Sequence, residues 1–135
     1  MRYLAIDYGN RRTGLAICDP SQTVVSPLAV LQTNDKLIAK IAEIITAESV
    51  GAVIIGLPIN MDDTKGPQAK RSSDFADQLE KHIDVPIHIQ DERLTTFAAK
   101  DKMADMEISK KKKKAMIDAL AAAEILQYFL DTLTL

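Results

Sequence analysis

RYLAIDYGNRRTGLAIC (2–18) sets how the rest of the chain is read. Residues 2–8, RYLAIDY, form a short run rich in β-formers that stops at Gly9–Asn10, which predicts a first strand and a turn. Gly14–Cys18 then predicts a second strand, close enough to pair with the first as a hairpin. One carboxylate, Asp7, is left at the C-terminal end of the first strand. It is either a turn former next to Gly9–Asn10 or part of a site.

Working outward, Val24–Leu31 reads as a third strand, and Pro27 within it points to a sheet edge or a bulge. Thr33 or Asn34 could cap a helix in which Leu37, Ile38, Ile41, Ile44 and Ile45 recur at helical spacing. Ala52–Gly56 is a compact apolar run suited to a strand buried on both faces. A polar loop, PINMDDTKG (58–66), ends at Gly66–Pro67, a helix-start signal for residues 67–82 with Ala69, Ser72, Phe75, Ala76 and Leu79 inward. Val85–Ile89 predicts a fifth strand, closed by Asp91–Glu92–Arg93. Thr95 or Thr96 could cap a helix to about Met106, and residues 115–131 make the last one. The expected fold class is α/β: a five-stranded mixed sheet, a three-strand meander followed by α/β crossovers, flanked by helices.

The composition limits what such a chain can be. At 135 residues, with 47% hydrophobic and 27% charged, it is expected to form a single domain over 1–135 with one core. Cys18 is the only cysteine, which excludes an intramolecular disulfide and suits a reducing cytoplasm. The N-terminus lacks a signal-peptide pattern, and no apolar run is long enough to span a membrane. A formal net charge of −2 does not resemble a basic nucleic-acid-binding domain. The charge is unevenly placed, however. Lys110–Lys114 form a block, with smaller pairs at Arg11–Arg12 and Lys70–Arg71, and a local field can attract a polyanion.

In open α/β sheets, ligand sites gather at the carboxyl ends of strands. Asp7 ends the first strand, and Asp91 and Glu92 end the last. Should those two strands approach each other, their acids could meet Asp118, which lies among Ile117, Leu120, Ala121 and Ala122 on the final helix. Three carboxylates sharing a site repel one another, and a hard divalent cation, Mg²⁺ or Mn²⁺, removes the conflict. Each acid also has an ordinary reading. Asp91–Glu92 could pair with Arg93 in a loop, Asp118 could be a half-exposed helix acid, and the lysines a solvated loop. His82 and His88 lack zinc-ligand spacing, and Ser72, Ser73 and Cys18 lie in no nucleophile motif.

LAIDYGNRRTGLAICD (4–19), IIGLPINMDDTKGPQA (54–69), DERLTT (91–96) and KKKKKAMIDALAAAEILQYFLD (110–131) resemble, in order, the motifs of the YqgF family of small ribonuclease H-like proteins. These are described as nucleases for the 5′ end of pre-16S rRNA or as Holliday junction resolvase-like. The resemblance implies a ribonuclease H-like fold with Asp7, Glu92 and Asp118 as catalytic, metal-holding acids, and Asp91 as the alternate to Glu92. It also implies substrate contacts at Arg11, Arg12, Asn60, Arg71 and Arg93. Lys70, one turn into its helix, and Lys111, Lys112, Lys113 and Lys114 would add phosphate-attracting charge. The sequence departs from the family pattern at Thr13 and Leu15, at Lys100, where an acid is common, and at MDDTKG in place of MDGTEG. None of these positions is a proposed ligand.

The leading expectation is a metal-dependent nuclease acting on precursor rRNA in ribosome biogenesis, with no membrane partner. The alternatives are a resolvase-like endonuclease for structured DNA and a non-catalytic nucleic-acid-binding assembly factor. IDYGNRRTG also resembles the phosphate loop of actin-like ATPases, but those folds clamp nucleotide between two domains. Both a monomer and a homodimer are compatible with the sequence, and a symmetric junction would favour the dimer.

Overall fold

The computed structural model describes residues 1–58, 66–91 and 110–133, with side chains from Met116 onward in the last segment. Asn60, Glu92, Arg93 and the helix expected at 95–106 lie outside the described residues, as do the lysine side chains of 110–114.

Five strands form one sheet: β1 (Arg2–Asp7), β2 (Arg12–Cys18), β3 (Val25–Gln32), β4 (Val50–Leu57) and β5 (Ile87–Asp91). Their spatial order is β3-β2-β1-β4-β5. The hairpin pairs are antiparallel, whereas β1–β4 and β4–β5 are parallel, so the sheet is mixed as expected. Pro27 satisfies both expectations for a proline in a strand. It lies on the edge strand β3, and the register slips beside it, between Leu15 and Ala16.

α1 (Leu37–Ala47) and α2 (Pro67–Glu80) pack on one face, and α3 (Lys110–Leu133) on the other. Alternation along β1 sorts the two cores. Leu4 and Ile6 meet Leu37, Ile41, Phe75 and Leu79, while Ala5 joins Ala16, Ile54, Ala122, Ile125 and Leu126 under α3. Each fully buried Leu or Ile contributes about 1.5–3 kcal/mol of transfer free energy. β1 and β2 present small residues to the α3 side, Ala5, Ala16 and Cys18, which lets that helix lie close to the strands. β4 supplies both cores and is buried on both faces, as its unbroken apolar run predicts.

Most element ends shift by one or two residues from expectation, and two helix starts differ in kind. Neither Thr33 nor Asn34 is the cap of α1: Lys36 holds that position, and Asn34 instead accepts the Lys36 N–H at 2.9 Å in the preceding turn. α3 begins at Lys110, five residues earlier than expected, so the lysines are helical rather than a loop. Lysine is a good helix former, which explains the continuity. Among the described residues, no helix is long and apolar enough to cross a membrane.

Candidate active site

The site is set by one close approach. Asp7, the last residue of β1, pairs across the hairpin with Gly14. Gly14 in turn lies against the backbone of α3 so tightly that a Cβ there would overlap the Asp118 carbonyl oxygen. Only glycine fits between strand and helix at this point. The helix therefore carries Asp118 over the end of the sheet where β1 finishes, on the face to which alternation directs Asp7.

The neighbouring turn is fixed by hydroxyls. Thr33 donates its only hydroxyl proton to the Gly9 carbonyl at 2.8 Å, so Thr13 must be the donor in the 2.8 Å contact between the two threonines. This chain satisfies Thr13, which is fully buried, and ties β2 and the end of β3 to the turn. The Thr33 N–H also donates to the Arg11 carbonyl at 2.9 Å. So anchored, Arg12 points its Nε at Asp118 Oδ2 across 3.1 Å. Arg12 is about half-exposed, and Asp118 retains 26% of its side-chain exposure, so solvent reaches the pair. Gln68, in the first turn of α2, donates to the Tyr8 carbonyl at 2.9 Å and brings that helix start to the same strand end. Gly66 occupies the α2 cap and Pro67 follows, as the sequence signal predicts.

The other residues singled out in the sequence distribute differently. β1 and β5 do not adjoin, because β4 lies between them, so an acid on β5 stands two strand spacings, roughly 9–10 Å, from β1. Asp91 is the β5 partner of Leu57 and shares the parity of Ile87, whose side chain packs toward α1 and α2. His88, on the opposite parity, lies against Phe129 of α3 with ring centroids 5.4 Å apart. Asp91 thus falls on the face away from Asp7 and Asp118. Glu92 lies outside the described residues. Arg11 and Lys70 are exposed, and Arg71 lines a cavity on the α1–α2 side, away from Asp118.

The sequence reading did not single out Gly14, Thr13, Thr33 or Gln68 for the site. A glycine inside a strand pattern signals close backbone approach, so Gly14 carried a readable sign. The hydroxyl chain and the Gln68 contact carried none, since both join residues distant in sequence.

Asp7 and Asp118 offer hard carboxylate oxygens, the donor chemistry that Mg²⁺ or Mn²⁺ prefers. Among the described residues, no group of three carboxylate, imidazole or thiol side chains converges. A third donor would have to come from elsewhere.

Residues 1–132 match the family model described as "RuvX: Holliday junction resolvase". A Roseiflexus protein is 41% identical over 133 residues, covering 97% of this chain and 94% of its own. A Listeria monocytogenes protein is 38% identical over 136 residues, covering 98% and 99%. Both bear the name "Putative pre-16S rRNA nuclease". Among solved structures, Thermus thermophilus RuvC with a Holliday junction substrate superposes with a TM-score of 0.63 at 15% identity, covering 99% and 96% of the two chains. Fowlpox virus resolvase with junction DNA gives 0.61 at 13%, covering 98% and 99%. At such identities the likeness speaks for the fold, the ribonuclease H-like architecture of these resolvases. With a family model matched from end to end and relatives near 40% identity, this chain belongs to the RuvX family.

Proposed function

We propose that this protein is a cytoplasmic, divalent-metal-dependent nuclease that hydrolyses phosphodiester bonds at the 5′ end of precursor 16S rRNA. The observation that carries the reading is the Gly14 contact, which sets Asp118 over the strand end that bears Asp7. Asp7 and Asp118 would hold the metal, with Glu92 as the third acid that the family resemblance implies. A bound Mg²⁺ or Mn²⁺ would supply charge neutralisation at the phosphate and acidification of a water. Arg12 sits beside these acids with a solvent-exposed guanidinium, able to pair with a phosphate oxygen. The free N–H groups at the start of α2 favour an anion near the same strand end.

The lysines support a polyanionic substrate. Cations in the first turn of a helix oppose its macrodipole, and like charges three or four residues apart repel. Lys110–Lys114 therefore weaken the start of α3, a cost that a phosphate backbone relieves. Positions 111 and 114 precede Asp118 by seven and four residues, the spacing of one helix face.

The names of the relatives favour precursor rRNA, while the family description favours four-way DNA junctions as a second substrate. The test is incubation of purified protein and Asp7→Asn with labelled pre-16S fragments and four-way junctions, each with Mg²⁺, Mn²⁺ or EDTA. Cleavage of the RNA by wild type alone, and only with metal, is the expected outcome. Cutting of junctions alone transfers the reading to DNA. Binding without turnover on either leaves an assembly factor, and equal turnover by a folded Asp7→Asn protein removes the site.

A further inference from the structure

Asp7 and Tyr8 are neighbours in sequence but face opposite sides of the sheet. Asp7 belongs to the α3 side, whereas Tyr8 packs toward α1 and α2 and stacks on Phe75 with ring centroids 4.3 Å apart and planes 11° from parallel. Phe75 is buried and Tyr8 only half-buried, so Tyr8 is the ring with area to offer. Beside it lies a cavity of about 370 Å³. Leu37 and Ile38 of α1 add apolar lining, and Asp74 and Gln78 of α2 supply polar rim groups, with Asn34 opposite. Thr33, Asp35 and Arg71 complete the lining. None of these side chains holds the metal in the nuclease reading, and only Arg71 is implied by the family resemblance as a substrate contact.

We propose that this cavity is a nucleobase subsite that takes one unstacked base, guanine by preference, from the strand whose phosphate lies at Asp7. The inference rests on the nuclease reading for its substrate and on the cavity for its chemistry. An aromatic ring with apolar walls suits the π-face of any base, which is how single-stranded RNA is usually held. The volume falls within the range of small-ligand pockets, which begin at about 300 Å³. Two carboxylates against one guanidinium disfavour a phosphate inside, so the sugar-phosphate chain stays outside and the base enters. Asp74 then selects the base. A carboxylate accepts two hydrogen bonds side by side, and guanine presents N1–H and the N2 amino group on one edge. Adenine and cytosine offer only an amino group beside an acceptor, and uracil a single N–H between carbonyls. The Gln78 and Asn34 amides can each donate or accept to the remaining edges. Tyr8 follows Asp7 at the strand end but faces the other side of the sheet, so the substrate strand passes round that end between a base seated here and the phosphate at the acids.

The same ring and acids could instead accept an arginine side chain from a protein partner, and the experiment includes that case. ¹⁵N-labelled protein in EDTA is titrated with GMP, AMP, CMP, UMP and N-acetylargininamide, following the amide resonances of Tyr8, Leu37 and Phe75. GMP is expected to shift all three and to bind about tenfold more tightly than the other nucleotides, the discrimination typical of a paired hydrogen-bonding edge. Asp74→Asn should remove most of that preference. Because Asp74 is exposed on α2, the variant is expected to fold, and Tyr8→Leu gives a second reading by weakening all four nucleotides alike. The proposal is overturned if no nucleotide shifts these resonances, if GMP shifts only those of Gly14 and α3, or if argininamide alone binds. Unchanged GMP preference in Asp74→Asn also overturns it. With metal absent, none of these results depends on cleavage, so failure here is distinguishable from failure of the nuclease reading.

Discussion

Arg12 and Asp118 lie 106 residues apart in sequence and meet in a 3.1 Å ion pair between the start of β2 and the third turn of α3. With solvent reaching both partners, the pair contributes at most about 1 kcal/mol to stability. Its consequence is for the acid, which already has a counter-charge when no metal is bound. Asp118→Asn should therefore melt close to wild type in EDTA, since repulsion from the other acids is already offset. Mg²⁺ or Mn²⁺ should stabilise wild type by mass action and the variant far less. Arg12→Gln removes the competing cation and should tighten metal binding about two- to fivefold, read by titration without substrate. Equal metal-induced shifts in wild type and Asp118→Asn would exclude Asp118 as a ligand.

Gly14 and Gly51 provide a matched pair of substitutions. A Cβ at Gly14 meets backbone, the Asp118 carbonyl and the Ala119 nitrogen, neither of which can swing aside. At Gly51 it meets the flexible Met1 side chain, with Cγ 2.6 Å away on an exposed residue. Gly14→Ala should cost about 1–3 kcal/mol as overpacking and displace Asp118, lowering turnover as well. Gly51→Ala should cost much less and leave turnover unchanged. Urea midpoints for the two variants decide it, and similar values would refute the close-approach argument.

Changing Lys111–Lys114 to Gln should weaken binding to all sequences alike. Each lysine that contacts a phosphate displaces a counterion, so the slope of log K against log salt should flatten by about 0.7–0.9 per contact. The free protein should melt at the same temperature or higher, because the start of α3 has lost charges that oppose its dipole. An unchanged salt slope would make the lysines a solvated helix end.

Asp19 closes the turn after β2. Hydrogen bonds from the Ser21 hydroxyl, the Val24 N–H and the Thr23 hydroxyl and N–H hold its carboxyl well below the ordinary carboxylate range. A folded-state value below the unfolded one favours the ionised form in the folded protein. The contribution is therefore complete above the ordinary value of 3.8 and is lost as pH falls below it. Asp19→Asn should destabilise at pH 6, with the gap from wild type narrowing toward pH 3. A gap that stays constant with pH would mean the carboxylate's charge does not matter.

Much of the fold is legible locally. The hairpin around Gly9–Asn10, the proline on an edge strand, the doubly buried β4 and the Gly66–Pro67 helix start each follow from side-chain period or backbone preference. Asp7 at a strand end is legible for the same reason. The start of α3 is less so, since lysine suits a helix and a solvated loop equally well.

What the sequence by itself determined is which residues form strands and helices and which faces they bury, because those are properties of neighbours along the chain. Only the tertiary structure decided which elements meet. Inserting β4 between β1 and β5 separates acids that might have adjoined, and the β5 register turns Asp91 to the face opposite Asp7. Seating α3 on Gly14 brings Asp118 to β1, and the same seating hands it Arg12. These outcomes depend on strand register and on packing between segments as many as 106 residues apart. A one-residue slip in register would exchange every face, and no local preference encodes it.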